Sequence, residues 1–260
     1  MNSYDAYPWA LLQEEFDVWS ELGTPADLWW RDDDAAAPGP KLERLVEVSA
    51  GAGLLLAVIP AKCDSALPSM LSHAPLVRVA QHGYAHVNHA PRGQGLGAWE
   101  LGLHREMDAV LTELDRGRDL LETYFGSNFL PVVVPPWNRI DPLLFEPLAS
   151  RGYRAVSTFG ARSSIHLVKG LKAVNAHCDP IRWKTGAKFG GELKTIKQLV
   201  GHLTAKRRGL VDANEPTGYL THHIDLDDEG WMFSQCLAEV VRQHPGARWS
   251  PPSVVFKEAP

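Results

Sequence analysis

The sequence has few cysteines, and none of the patterns that make cysteines structural. Cys63, Cys178 and Cys236 are the three in 260 residues, an odd number, far apart and without a CxxC pair. A disulfide framework or a cysteine-ligated zinc site needs paired or closer spacing. The three thiols are therefore expected to be reduced and buried as small apolar groups.

An excess of basic charge and long apolar runs are also missing. The formal net charge is −5 with both signs interspersed, which argues against nucleic acid as a partner. The longest apolar runs, 53–60 and 129–136, are far short of the ~20 residues that span a bilayer, so no membrane partner is expected. The first residues are acidic and lack the basic start and apolar run of a signal peptide. We therefore expect a cytoplasmic protein.

Short apolar runs alternate with helical patterns along the whole chain. No internal repeat or linker divides it, so one domain over residues 1–260 is expected, with an N-terminal helix at 8–22 packed on it. The predicted strands lie at 27–31, 53–59, 76–80, 129–134, 153–157, 171–175 and 218–221. Strands that alternate with helices predict an α/β fold with a parallel sheet covered on its outside.

Polar clusters follow the predicted strands. The clusters are 32–34, 82–89, 136–139, Asp179 and 222–223. In a parallel barrel the carboxyl ends of the strands meet at one rim, where active sites are built. An open doubly wound sheet is the alternative, but no GxGxxG follows the first strand. The sequence therefore favours a distorted (β/α) barrel of about seven parallel strands.

The segment QHGYAHVNHAP, residues 81–91, is rich in histidine. The i, i+4 spacing of His82 and His86 puts two imidazoles on one side of a helical turn, within reach of one ion, and His89 extends the same turn. Zinc and similar metals favour imidazole nitrogen, and a hydrolytic site leaves one position for water. The alternative is a surface turn with chance histidines. Three of the eleven histidines within eight residues favour a metal site.

Three carboxylates, Asp32, Asp33 and Asp34, follow the first predicted strand. Adjacent like charges are unfavourable unless a cation or protons compensate them, so a metal-bound aspartate beside a free one is physically reasonable. The alternative is a helix N-cap or a solvated turn. An N-cap or a solvated turn would explain one aspartate better than three in a row, so a functional role is favoured.

From about residue 28 to 225 the chain resembles the polysaccharide deacetylases with the NodB homology domain, the family 4 carbohydrate esterases. Their fold is a distorted β/α barrel, as the strand pattern here also suggests. The family's first motif ends in an Asp-Asp pair, the catalytic base and then a metal ligand. The resemblance implies Asp33 as the base and Asp34 as the ligand, and a frame with Asp32 and Asp33 stays open.

The second and third motifs also have counterparts. His-x-x-x-His matches His82 and His86 and completes an implied Asp-His-His metal site. The third motif normally reads Arg-x-Pro-aromatic-Gly, and VPPWN keeps Pro136 and Trp137 but lacks the arginine and the glycine. The resemblance implies that these two residues contact substrate, with Arg139 as the substitute for the arginine. Core packing is the alternative role for the tryptophan.

The fourth motif, Asp-x-x-Asp-Trp, resembles DPIRW, with Asp179 as a catalytic residue and Trp183 at the substrate or in the core. The fifth, an apolar strand ending in histidine, resembles YLTH and makes His222 the catalytic acid. His223 is the alternative, because adjacent strand residues point to opposite faces. We predict that Asp179 or Asp225 hydrogen-bonds the catalytic imidazole and fixes its tautomer.

The resemblance implies a hydrolase that removes an N-acetyl or N-formyl group by metal-activated water, an aspartate base and a histidine acid. Zinc is the default metal, and cobalt, nickel or iron would accept the same ligands. The altered motifs and the expected location point to a small N-acylated sugar, an oligosaccharide or a related amide as substrate. The alternative is a non-catalytic carbohydrate- or metabolite-binding protein that keeps the barrel. Loss of the motif arginine favours that alternative, whereas an acid and a base beside a metal favour an enzyme.

Overall fold

The computed structural model describes residues 7–184 and 186–257, so both ends of the predicted domain 1–260 lie outside the described residues. The helices are α1 (Trp9–Glu21), α2 (Pro40–Ser49), α3 (Leu67–Leu71), α4 (Met107–Phe125), α5 (Phe145–Ser150), α6 (Glu192–Arg207), α7 (Asp228–Gln243) and α8 (Pro252–Val255). The strands are β1 (Ala26–Ala35), β2 (Leu54–Val58), β3 (Val77–His82), β4 (Phe129–Val134), β5 (Ala155–Val156), β6 (His166–Val168), β7 (Leu171–Ala173), β8 (Ile181–Arg182), β9 (Lys188–Phe189), β10 (Thr217–Thr221) and β11 (Ala247–Trp249).

One curled sheet organises the molecule, in the order β10-β1-β2-β3-β4-β5-β7-β6, with β11 also paired to β1. The seven strands from β10 to β7 are parallel to their neighbours, and β6 is antiparallel at the edge. These seven are the strands that the sequence predicts. Beyond β7, Cys178 pairs with Tyr219 of β10, which joins the two ends of the curled sheet. The predicted distorted barrel of about seven parallel strands is confirmed.

The core lies on both faces of the central strands. Strand β2 is buried along its whole length, and α4 turns Val110, Leu114 and Leu121 inward at helical spacing. Because helices cover the outer face and side chains fill the inner one, such strands read as continuous apolar runs. Each fully buried leucine contributes about 1.5–3 kcal/mol relative to an exposed one. The buried strands therefore fix the positions at which the loops that follow them begin.

Helix α1 packs against α6 and β11. The ring of Trp9 stacks on Phe233 with centroids 5.0 Å apart, and the buried Glu15 carboxylate accepts hydrogen bonds from Thr204 and Arg207 of α6. Apolar stacking and a partly buried ion pair thus attach the helix to α6 and α7. Within the ranges described, no helix combines the length and the apolar character needed to cross a bilayer.

Candidate active site

A cavity of about 480 Å³ opens at the carboxyl ends of β1, β3, β4 and β10. Its walls hold carboxylates, imidazoles and aromatic rings. The lining residues are Asp33, Asp34, His82, His86, Trp137, Asn138, Phe159, Asp179, Trp183 and His222. Eight of the residues that the sequence singled out are thus brought together from distant segments. Pro136 and Arg139 are not among the lining residues.

Both Asp33 and Asp34 reach the cavity although they are neighbours in one strand. Successive strand residues normally point to opposite faces. Here the register between β1 and β2 shifts between Asp32 and Ala35, and Asp34 has a left-handed φ of 70°. Such irregularities redirect side chains at the ends of strands, often beside active sites. The end of β1 thus presents two carboxylates to one cavity.

Asp34, His82 and His86, here named the cavity triad, converge on one point. The Asp34 Oδ1 atom lies 3.1 Å from His82 Nε2 and 3.2 Å from His86 Nε2. It is buried and has no hydrogen-bond partner in the described part of the chain. A carboxylate oxygen and two imidazole nitrogens are a suitable ligand set for a divalent transition metal.

The tautomer of His82 suits metal binding. Its Nδ1 atom lies 2.9 Å from the Val134 carbonyl oxygen, which can only accept, so Nδ1 carries the proton. The Nε2 lone pair is then directed toward Asp34. Metal-binding histidines commonly donate their second ring N–H to a carbonyl or carboxylate in this way. The residues present therefore fit a divalent cation.

The helical turn predicted for the two histidines is not found. His82 is the last residue of β3, and the chain then bends through Gly83 and His86, both at a left-handed φ of 56°. Two side chains spaced i, i+4 come together on one side of a helix. They also come together where a strand end is followed by a tight bend, so the spacing alone does not distinguish the two structures. His89 lies outside the cavity triad, and its amide pairs instead with the Trp99 carbonyl.

The charges in the cavity act on one another. Burial raises the pKa of the Asp34 carboxyl, but the imidazoles of His82, His222 and His86 outweigh burial and bring the pKa below its usual range. Burial lowers the pKa of His82, and the carboxylates of Asp34 and Asp33 raise it to a net value above the usual one. For His86 burial dominates, and its pKa is lowered. Metal binding there would displace a proton from His82, because the form that binds a metal is an ionised carboxylate beside a neutral imidazole.

Arg31 is a functional candidate that the sequence analysis missed. Its fully buried guanidinium contacts both carboxylate oxygens of Asp33, with Nε 3.0 Å from Oδ1 and Nη2 3.1 Å from Oδ2. The remaining N–H groups donate to Asn138 Oδ1 and to oxygens of Ser157 and Thr158. Asp33 is therefore held by two contacts in one orientation. The available signal was an arginine two residues before an aspartate within a buried strand, on the same strand face.

Arg139, predicted to replace the missing motif arginine, is not brought to the cavity. Arg139 points away, with its guanidinium on the carbonyls of Leu96 and Ala98 and over the Trp99 ring. The left-handed φ values of Trp137 and Asn138, 54° and 56°, explain this, because they turn Asn138 toward Arg31 and carry the next residue outward. Pro136 is buried, does not line the cavity and lies close to Gly83.

Asp179 does not hold the catalytic imidazole as predicted. Its carboxylate accepts hydrogen bonds from the Ile181 amide, 2.8 Å, and the Trp183 indole, 2.8 Å. The indole ring meets His222 edge-on, with centroids 4.7 Å apart. In the ranges described, His222 Nδ1 has no hydrogen-bond partner, so neither Asp179 nor Asp225 fixes its tautomer. Asp179 instead orients a tryptophan that contacts the histidine.

His223 and Asp32 form a separate, buried pair. His223 Nδ1 lies 2.6 Å from Asp32 Oδ1, and the other carboxylate oxygen accepts from Thr221 Oγ1 and the His223 amide. Burial lowers the pKa of His223, and the charge and hydrogen bond of Asp32 raise it above its usual value. The pair joins the ends of β1 and β10. His222, by contrast, faces the cavity.

A second group, His177, His202 and Glu215, is here named the buried triad. The two rings stack with centroids 3.4 Å apart, and His177 Nε2 lies 3.4 Å from Glu215 Oε2. All three side chains are less than 9% exposed. Burial lowers the pKa of His177, and burial with the charges of His177 and Lys206 lowers the pKa of His202 to about 2.

No protein-family model matches the chain, and no curated protein matches it in sequence. Solved structures do match it in fold. A peptidoglycan N-acetylglucosamine deacetylase is 13% identical with a TM-score of 0.56, covering 90% of each chain. A family 4 carbohydrate esterase from Streptomyces lividans in complex with acetate is 14% identical with a TM-score of 0.53, covering 91% of this chain and 97% of that one.

A third structure, a family 4 acetyl xylan esterase from Clostridium thermocellum in complex with a cobalt ion, is 10% identical with a TM-score of 0.52, covering 88% of this chain and 90% of that one. At such identities the likeness concerns the fold. It extends over almost the whole of each chain, and it coincides with the family that the motifs resemble. The chain has the NodB-type fold of the polysaccharide deacetylases.

Proposed function

We propose that the protein is a metal-dependent hydrolase that removes an N-acetyl or N-formyl group from a sugar or a related small amide. One observation carries the proposal: an aspartate held by a buried arginine, a histidine and the cavity triad all line one cavity. A proton acceptor, a proton donor and a ligand set are the groups that hydrolysis of an amide requires.

Asp34, His82 and His86 would hold the cation. Zinc is the default proposal, and cobalt, nickel or iron suit the same donors. When bound there, a divalent metal supplies Lewis-acid polarisation of the acyl carbonyl and lowers the pKa of a water molecule. The proposal draws support from the position of the Asp34 oxygen between two imidazole nitrogens and from the proton on His82 Nδ1.

Asp33 would act as the general base. Arg31 contacts both of its carboxylate oxygens, yet each oxygen keeps a lone pair that can take the proton of a water molecule. The two contacts from the buried guanidinium hold the carboxylate in one orientation. Such fixed orientation of a reacting group is a large part of the rate gain in hydrolases.

His222 would act as the general acid that protonates the departing amine. An imidazole suits this task because its pKa lies near neutral pH. The edge-on indole of Trp183 limits rotation of the ring, and Asp179 holds that indole by a hydrogen bond. Asp179 thus supports the acid through Trp183.

The substrate would be a small N-acylated sugar or oligosaccharide. Trp137, Phe159 and Trp183 line the cavity and are 36%, 41% and 49% exposed. Half-exposed aromatic rings can pack on the apolar face of a sugar ring. The names of two structural neighbours, a peptidoglycan N-acetylglucosamine deacetylase and an acetyl xylan esterase, support an acetylated sugar. The cavity volume lies in the usual range for small-ligand sites.

The test is acyl release by protein loaded in turn with zinc, cobalt, nickel and ferrous iron. N-acetyl and N-formyl glucosamine, chito-oligosaccharides and an O-acetylated xylo-oligosaccharide would be assayed for acetate or formate. We expect release from an N-acylated sugar, and its loss in Asp33→Asn with metal content unchanged. Metal-loaded protein that binds these sugars but releases no acid would contradict the proposal and identify a binding protein.

A further inference from the structure

The bend that carries His86 needs a partner for its own backbone. In a helix the amides between two residues at i and i+4 would be satisfied by the turn that precedes them. Here the bend between His82 and His86 is not helical, and two of its residues are left-handed. A left-handed histidine is an unfavourable conformation that persists only when neighbouring structure holds it. Something outside the bend must therefore fix it.

We propose that Glu100 is the positioning residue that holds this bend and so places His86 for metal binding. The inference rests on the proposed function, because it concerns a ligand of the proposed metal site. Glu100 lies 14 residues beyond His86 in the loop that leads to α4.

The Glu100 carboxylate binds the bend from within. Its Oε2 atom accepts a hydrogen bond from the Tyr84 amide, 3.2 Å, and its Oε1 atom accepts one from the Ala85 amide, 2.7 Å. The side chain is fully buried. An ionised acceptor bound to two main-chain amides forms strong, directional hydrogen bonds. One side chain thus satisfies the two amides that directly precede His86.

Gly83 makes room for this carboxylate. A Cβ atom at position 83 would lie 1.9 Å from Glu100 Oε2 and 2.7 Å from the Pro136 ring. Glycine is therefore required at position 83 for two reasons: the positive φ of 56° and the close approach of the Glu100 carboxylate. The sequence HGYAH and the distant glutamate form one structural unit.

Glu100 is itself fixed in place by its loop. The next residue, Leu101, pairs with Ile140, and its carbonyl accepts a hydrogen bond from the Asp141 amide. On the other side, the carbonyl of Trp99 accepts from the His89 amide. The glutamate is therefore anchored to the chain that follows β4. Its hydrogen bonds to the Tyr84 and Ala85 amides hold the backbone directly before His86 in place.

The test compares Glu100→Gln with Glu215→Gln in the full chain. Glu215 is a matched control because it is also fully buried and also accepts from two main-chain amides, those of Arg162 and Asn175. Zinc affinity would be measured by competition with a chromophoric chelator, and ligand geometry by the visible spectrum of the cobalt-loaded protein. Removing a supporting residue of a metal ligand typically weakens binding ~10- to 100-fold.

We expect Glu100→Gln to weaken zinc binding by that factor and to change the cobalt spectrum, while Glu215→Gln leaves both unchanged. If Glu100→Gln does not fold, Glu100→Asp replaces it, since the shorter acid keeps the charge but cannot reach both amides. Unchanged affinity and spectrum in a folded Glu100 variant would overturn the inference and leave the proposed function intact. Failure of the wild-type protein to bind any metal would overturn both.

Discussion

The cavity triad and the buried triad have the same composition of one carboxylate and two imidazoles. In each, the candidate ligand atoms lie within 4.8 Å of one another. The cavity triad opens to a cavity that also holds Asp33 and His222, whereas every member of the buried triad is shielded from solvent. Proximity alone would assign a metal to both.

The hydrogen bonds of the second ring nitrogen separate the two groups. His82 Nδ1 faces the carbonyl of Val134 and must carry a proton, so in the neutral ring the lone pair is on Nε2. His177 Nδ1 accepts a hydrogen bond from the Gly218 amide, 2.9 Å, which uses the lone pair of that nitrogen. The neutral ring therefore carries its proton on Nε2. A protonated nitrogen cannot bind a metal. The cavity triad is thus prepared for a cation, and the buried triad is not.

The carboxylates differ in the same sense. Asp34 Oδ1 has no hydrogen-bond partner in the described part of the chain, whereas Glu215 accepts from the amides of Arg162 and Asn175. Glu215 is occupied by main-chain hydrogen bonds, whereas Asp34 Oδ1 meets only the two imidazole nitrogens and is available to a cation. A candidate metal site is therefore recognised by what surrounds its ligands.

The largest effect expected is on metal content. We expect His82→Ala/His86→Ala to lose all bound metal, because a single carboxylate remains as ligand. The matched variant His177→Ala/His202→Ala should keep one equivalent and lose only stability, as cavities form in the core. Plasma mass spectrometry after dialysis measures both. Loss of half the metal in the second variant would break the distinction between the two triads.

The next largest effect is expected for His222 and His223. These residues are adjacent, but His222 faces the cavity and His223 is buried against Asp32. His222→Gln should lower kcat by about 10²–10⁴-fold, since the amide cannot protonate a leaving group, with stability little changed. His223→Gln should instead destabilise the protein by about 1–3 kcal/mol, because the buried Asp32 carboxylate loses its cationic partner. Steady-state kinetics and urea unfolding of both variants give the two numbers. The reverse pattern would make His223 the acid.

A smaller loss is expected when the arginine beside Asp33 is replaced. Arg31→Lys keeps a positive charge but cannot make a two-point contact. We expect kcat to fall about 10- to 100-fold with metal content unchanged, as for a slightly misplaced reacting group. Arg139→Lys is the control and should leave kcat nearly unchanged, because that side chain contacts loop carbonyls. Equal losses in both variants would restore Arg139 to the site.

The smallest effect is a pH dependence of stability that arises in the buried triad. The folded pKa of His202, about 2, lies below its ordinary value of 6.5, so the unfolded chain binds more protons in acid. The stability that neutral His202 contributes is therefore present above pH 6.5 and is lost as the pH falls toward the folded pKa. The free energy of unfolding of wild type minus that of His202→Gln should fall by about 1–2 kcal/mol between about pH 7 and pH 5. Urea unfolding at several pH values measures it, and a constant difference would be inconsistent with a neutral stack.

The strand pattern and the meeting of the polar clusters at one rim were accessible from the residues, whereas the choice of Asp34 as the partner of His82 and His86 came from the family resemblance. Buried parallel strands appear as apolar runs, and the geometry of such a sheet brings their carboxyl ends together. Neither inference needs knowledge of side-chain contacts. The seven predicted strands and the common cavity both follow from this local information.

The contacts within the site were less accessible, because they join distant residues. Arg31 meets Asn138 and Ser157, which lie 107 and 126 residues away, and nothing next to Arg31 indicates them. Arg139 lies outside the cavity, directly after Trp137 and Asn138, both of which have a left-handed φ. Backbone conformation of this kind leaves little trace in the sequence when the residue is not glycine.

The most direct test of a single metal site at the cavity triad is a crystal structure of the metal-loaded protein with anomalous diffraction data collected at the zinc and cobalt absorption edges. We expect one anomalous peak, bound by Asp34, His82 and His86, and no peak between His177, His202 and Glu215. A peak in the buried triad, or none at the cavity triad in crystals that contain the metal, would contradict it.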